Sequence, residues 1–191
     1  MTLAEIKATQ TRVGALADGF WGPKSIAACQ QHLRSLMPKP NPWPHSDQAS
    51  LRAFYGAAGD ESQLVSITFP FRMLYEGKLV KTTRCHRKVA ASLLRVLTNL
   101  GDRYSGVRGI IEEAEDYGGC YNNRPMRGGS LPSLHARGAA IDLDADDNGN
   151  LVSWPVAADM PLEIMEAFAR EGWLSAGAFW GRDAMHFQAT Q

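Results

Sequence analysis

The stretch "PKPNPWPHSD" at 38–47 carries four prolines in ten residues. A proline inside a helix removes a hydrogen bond and clashes with the preceding turn, and inside a sheet it removes a ladder bond. The stretch is therefore neither helix nor central strand, and it reads as a semi-rigid linker. It divides the 191 residues into an N-terminal segment, 1–37, and a longer unit, 48–191. The longer unit is of a size that supports its own core.

Both sides of the linker show elements. "LAEIKATQTRVGAL" places Leu3, Ile6, Val13 and Leu16 at loosely helical spacing, and "ADGFWGPKS" supplies turn residues, with Pro23 opening the next element. "SIAACQQHLRSLM" sets Ile26, Ala27, Leu33 and Met37 on one helical stripe. Beyond the linker, 47–56 reads as a helix. "QLVSITF" (63–69) and "LVKTT" (79–83) read as strands joined across "YEGK". Residues 85–100 form the clearest helix, on Val89, Leu93, Val96, Leu97 and Leu100, with Gly101 as its stop. "GVRGIIEEA" reads as a strand, 116–130 as a glycine-rich loop, "GAAIDL" (138–143) as a buried strand and "DAMHFQA" as a final strand. Asp159 is placed to cap a helix over "MPLEIMEAFAREG". Without a regular strand–helix alternation, the class is α+β: a small antiparallel sheet flanked by helices, preceded by a short helical appendage.

Composition narrows the function classes. Lysine plus arginine and aspartate plus glutamate number 20 each, so no basic excess points to nucleic acid. Cys29, Cys85 and Cys120 form no CxxC pair, which argues against a cysteine-rich metal site and against a disulfide framework. No run of about 18 apolar residues is present, so no membrane span is expected. The N-terminus lacks the pattern of a signal peptide, so synthesis in the cytoplasm without one is expected.

"SLHARGAAIDLD" (133–144) and "DAMHF" (183–187) carry the chemistry. A catalytic zinc takes three ligands of the His, Asp or Glu type and leaves a fourth position to water. His135 and Asp142 bracket a loop entering a strand, His186 on the last strand is the third ligand, and Gly138 removes a side chain where the backbone would turn close to the metal. Asp183 stands three residues before His186, placed to take a proton from an activated water. Asp142 sits between Ile141 and Leu143, where an unpartnered carboxylate is costly; a metal removes that cost. Each residue also has a plainer role, an aspartate capping a turn or a histidine packed in a core, and His32, His45 and His86 are read that way.

In this order the residues resemble the SxHxxGxAxD and (D/E)xxH motifs of the M15 zinc peptidases: D-alanyl-D-alanine carboxypeptidases and dipeptidases, and phage endolysin endopeptidases. "YGGCYNNRPMRGGSLPSLH" and "EGWLSAGAFWGRDAMHF" extend the likeness over roughly 65–189. The resemblance implies the LAS-type zinc peptidase fold, Zn2+ held by His135, Asp142 and His186, and Asp183 as general base. It also implies an oxyanion-stabilising arginine, Arg124 with Arg127 as its rival, and Ser133 as a substrate-binding residue or an organiser of the loop. Gln188 stands where a glutamate is common. The implied partner is bacterial peptidoglycan, attacked at the wall by a monomeric phage or prophage endolysin. The alternatives are a D,D- or L,D-carboxypeptidase and a non-catalytic zinc-containing wall-binding or virion module.

"VGALADGFWGPKSIAACQQHL" resembles the peptidoglycan-binding repeat type 1, with Asp18, Gly19, Gly22, Pro23, Ser25 and Gln30 in its pattern, though shorter than a full unit. "DADDNGN" (144–150) opens like a calcium loop, but Pro155 stands at its twelfth position, so a solvated acidic turn is expected.

Overall fold

A computed structural model covers residues 1–191 and contains seven α-helices and two antiparallel sheets. Helix α1 (Leu3–Arg12) opens with a capping box in which Thr2 and Glu5 satisfy each other's backbone N–H groups. Helix α2 (Pro23–Leu36) has proline in its first turn, where no N–H is needed. Its buried stripe is Ser25, Cys29 and Leu33; Ile26, expected on that stripe, is exposed. The loop between the helices folds around the buried Gln10. Its Nε2 lies 3.0 Å from Asp18 Oδ1, Phe20 O and Ser25 Oγ, and its Oε1 accepts from the Gly19 N–H.

Helix α3 (Gln48–Tyr55) is capped by Asp47. Strands β1 (Leu64–Tyr75) and β2 (Lys78–His86) form a long hairpin turning at Glu76 and Gly77, both at positive φ. Cys85 and His86 belong to β2, pairing with Val65 and Leu64, so the next helix, α4 (Ala90–Tyr104), begins later than its apolar stripe suggested. Gly101 lies inside α4 rather than at its end, and a Cβ there would come within 3.0 Å of Phe71. The expected strand over "GVRGIIEEA" is instead a turn and helix α5 (Ile111–Glu115). Gly106 and Gly109 both take positive φ, which interrupts an extended run, and the helix buries Ala114.

Strands β3 (Tyr117–Gly119) and β4 (Ala140–Leu143) precede α6 (Leu162–Arg170), β5 (Leu174–Ser175), α7 (Ala176–Trp180) and β6 (His186–Gln188). The second sheet runs β3-β4-β6-β5, all antiparallel, and its register sets Asp142 opposite His186 and Ala140 opposite Gln188. Asp159 does not cap α6. Pro161 holds the cap position, and Asp159 accepts instead from the Asn148 side chain.

Val13, Cys29 and Leu33 join Trp43, Phe168, Trp173 and Phe187 in one apolar cluster, so residues 1–37 share a core with the C-terminal sheet. The proline-rich segment is docked by Trp43, whose Nε1 donates to Glu171 O at 2.7 Å. Arg12 grips the buried Glu166 of α6 through two bonds of 2.7 Å. The acidic turn 144–150 is partly buried rather than solvated. Asn148 is fully buried and binds Asp144, Asp159 and the Met160 N–H.

Candidate metal centre

Ser133 begins the site. Its hydroxyl accepts the His135 N–H at 3.3 Å, capping a short 3-10 turn over Leu134–Arg137. Gly138 ends that turn at φ 65; a Cβ there would lie 2.9 Å from the His86 nitrogen and 2.7 Å from Leu64 Cδ2. The glycine is required by the close approach of β2, not by room for a metal. The turn delivers His135, and β4 and β6 deliver Asp142 and His186 side by side.

The three side chains converge in a buried cluster. His135 Nε2 and His186 Nδ1 are 3.1 Å apart, and Asp142 Oδ1 lies 3.1 Å from the first and 2.9 Å from the second. The opposite ring nitrogens face acceptors: His135 Nδ1 lies 2.7 Å from Cys120 O, and His186 Nε2 lies 3.1 Å from Gln188 Oε1. With those nitrogens carrying the N–H, two imidazole lone pairs and a carboxylate oxygen point at one spot, and such a donor set fits a metal ion. Burial raises the pKa of Asp142, but the bonds from His135 and His186 outweigh it and hold the carboxyl well below its usual range. Burial lowers the pKa of His186, yet its bond to Asp142 leaves it raised on balance.

Asp183 adopts φ 61, a left-handed conformation that short polar side chains tolerate. Its Oδ1 is shut off from solvent without a hydrogen-bond partner. Burial is the main cause of its raised pKa, with Asp142 adding to it while His186 and Arg127 oppose. Asp183 lines a cleft of about 200 Å³ together with His135, Asp142, His186, Ser133 and Arg124. Both arginines that competed in the sequence reach this cleft. Arg124 donates to Pro125 O at 3.2 Å, while Arg127 is the one whose charge acts on Asp183. A second groove of about 500 Å³, walled by Tyr75, Tyr117 and Tyr121, shares Arg124, Arg127, His135 and Asp142 with the cleft.

A family model described as D-alanyl-D-alanine carboxypeptidase matches residues 127–189. That match supports an M15 family peptidase. No curated protein and no solved structure matches the chain. The M15 match spans all three convergent side chains, Asp183 and Ser133, and it stops short of Arg124. M15 peptidases are metal-dependent, which agrees with a donor set able to hold an ion. No helix is long and apolar enough to cross a membrane.

Two residues of the site escaped the sequence reading. Trp180, 49% exposed, stacks on the His186 ring at 5.8 Å and lines the cleft. Gln188 departs from a motif in which glutamate is common, and its place two residues after His186 on a strand puts both side chains on one face. A second set of three possible ligands, Glu113, Asp144 and Asp159, lies away from the cleft.

Proposed function

We propose that the chain is a zinc-dependent peptidase that hydrolyses peptide bonds in the stem peptides or cross-links of bacterial peptidoglycan, acting at the wall as an endolysin-type endopeptidase. The observation that carries this reading is the convergence of His135 Nε2, Asp142 Oδ1 and His186 Nδ1 beside the unpartnered Asp183 Oδ1 in one cleft. A tetrahedral zinc with bonds of about 2.0–2.1 Å spaces its ligands by roughly 3.3 Å, close to the separations among these three atoms. Three ligands leave one position open, the arrangement of catalytic rather than structural zinc, which weighs against a purely structural module.

When bound, zinc supplies the Lewis acidity that polarises the scissile carbonyl and makes the attacking water more acidic. Asp183 takes that water's proton on its carboxylate and passes it to the leaving amine. Arg124, a cation lining the cleft, would stabilise the oxygen on which negative charge develops, with Arg127 acting on the charge of Asp183. Ser133 lines the cleft as a substrate-binding residue, and its hydroxyl holds His135 in place by accepting the backbone N–H.

The cleft and the tyrosine-walled groove share Arg124, Arg127, His135 and Asp142, which favours cutting within a chain, because a substrate seated along both would extend to both sides of the ligand set. The carboxypeptidase reading rests on Arg124, Arg127 and Arg182, which line the cleft and would pair with a terminal carboxylate. Masses of muropeptides released from purified walls separate the two. We further infer that residues 1–37 are a peptidoglycan-binding-like unit, 38–47 its connector and 48–191 the catalytic unit. Zymography on purified walls tests the mechanism: Asp183→Ala should lower lysis about 10²–10⁴-fold, and lysis at the wild-type rate overturns it.

A further inference from the structure

His186, Gln188 and Thr190 form a buried relay at the end of the chain, 8%, 8% and 0% exposed respectively. Gln188 Oε1 lies 3.1 Å from His186 Nε2, and Gln188 Nε2 donates to Thr190 Oγ1 at 2.6 Å. A primary amide has an accepting end and a donating end, so its orientation dictates what the neighbouring ring can be. With Oε1 toward the ring, Nε2 must carry the proton, and Nδ1 is left as a lone pair directed at Asp142 and His135. With the amide turned over, its NH2 group would face Nε2, Nε2 would be the lone pair, and Nδ1 would carry a proton donated to Asp142. The second state fills the position that a metal would occupy.

We propose that Gln188, held to Thr190, is a positioning residue that biases the His186 ring toward the state able to bind a metal, and so tunes metal affinity. The proposal rests on reading His135, Asp142 and His186 as the metal-binding set. A neutral amide permits both ring states, whereas a carboxylate at this position only accepts and would enforce the metal-binding one. Metal affinity in this chain is therefore held below what the same ligands would give beside a glutamate. Hydrogen-bond partners of ligating histidines change affinity by about 10–100-fold.

The experiment measures two things on the full chain. Zinc affinity is determined by competition with a chelating dye, and the ring state of His186 is read from imidazole 15N shifts in the metal-free protein at alkaline pH. Gln188→Met, close in volume, should weaken zinc binding about 10–100-fold and mix the two ring states, with activity recovering at saturating zinc. Gln188→Glu should restore or tighten binding and leave only the Nε2–H form. Thr190→Val frees the amide, should shift both readouts in the same direction as Gln188→Met, and serves if Gln188→Met does not fold. Zinc affinity within twofold of wild type together with an unchanged 15N pattern in Gln188→Met, or in Thr190→Val where that variant serves, overturns the proposal. Absence of zinc binding by the wild-type chain would overturn the metal-binding reading. The 15N pattern, read without metal, tests the selection of ring state separately.

Discussion

His135, Asp142 and His186 bring three ligand atoms within 4.8 Å of one another, and so do Glu113, Asp144 and Asp159. The two clusters answer crowding in opposite ways. Asp142 has imidazoles as neighbours; burial pushes its pKa up, but their hydrogen bonds hold it low, and it stays an anion. Glu113 has carboxylates as neighbours; burial, a bond to Asp144 and repulsion from Asp144 and Asp159 all act together and push it up to about 9. The first cluster presents lone pairs, and the second stores a proton. A third buried carboxylate, Glu166, separates partner from burial: burial raises it, yet Arg12 and His32 draw it below its ordinary value. Burial has the same sign in all three, so the sign of the partner decides the charge state.

The largest effect that could break this comparison is at Asp142. Asp142→Asn keeps the shape but removes the anion between the two imidazoles. Zinc content by mass spectrometry should fall from one equivalent to background, and wall lysis should fall at least about 10²-fold. Retention of one tightly bound zinc would show that the carboxylate is not part of the donor set.

Next comes Glu166, whose cation partner lies on the other side of the proline-rich segment. Arg12→Ala leaves the carboxylate with His32 alone and should cost about 1–2 kcal/mol in urea unfolding at pH 7, the partial exposure of Arg12 reducing the effect. The folded pKa of Glu166 lies below its ordinary value of 4.5. Its ionised form therefore contributes stability that is present above about pH 4.5 and is lost as pH falls through the folded value. The Arg12→Ala penalty should shrink over the same range, and a penalty independent of pH would mean that Arg12 acts by packing alone.

The smallest effect expected is at Glu113, and its sign is reversed. The folded chain keeps a proton that the unfolded chain releases, so stability should decline as pH rises from about 4.5 toward about 9. Glu113→Gln keeps a donor toward Asp144 without a titratable group. Relative to wild type it should gain stability progressively between pH 5 and pH 8. Parallel stability curves for the two proteins would show that Glu113 is ionised in the fold.

Much of the site was legible because its signals are local. The spacing of His135 and Asp142, the approach of Asp183 to His186, and the apolar flanks of Asp142 mark one buried strand and one terminal strand, and the structure pairs them residue against residue. The hairpin was legible through alternation and its Glu76–Gly77 turn. Positions where a local signal serves a distant contact are not legible in this way. Gly101 resembles a helix stop but makes room for Phe71, Gly138 resembles a metal-side clearance but admits β2, and Asp159 resembles a cap but binds Asn148.

The amino-acid order by itself determined the chemical kinds of donor available and the faces of strand on which they stand, because side-chain direction repeats with a period of two. Only the tertiary structure decided which nitrogen of each imidazole turns inward, and that Arg12 meets Glu166 across 154 positions of chain. It alone also decided that Glu113 lies beside Asp144. Those outcomes depend on which backbone carbonyls, amides and charges long-range packing brings within a few ångströms in a poorly solvated interior.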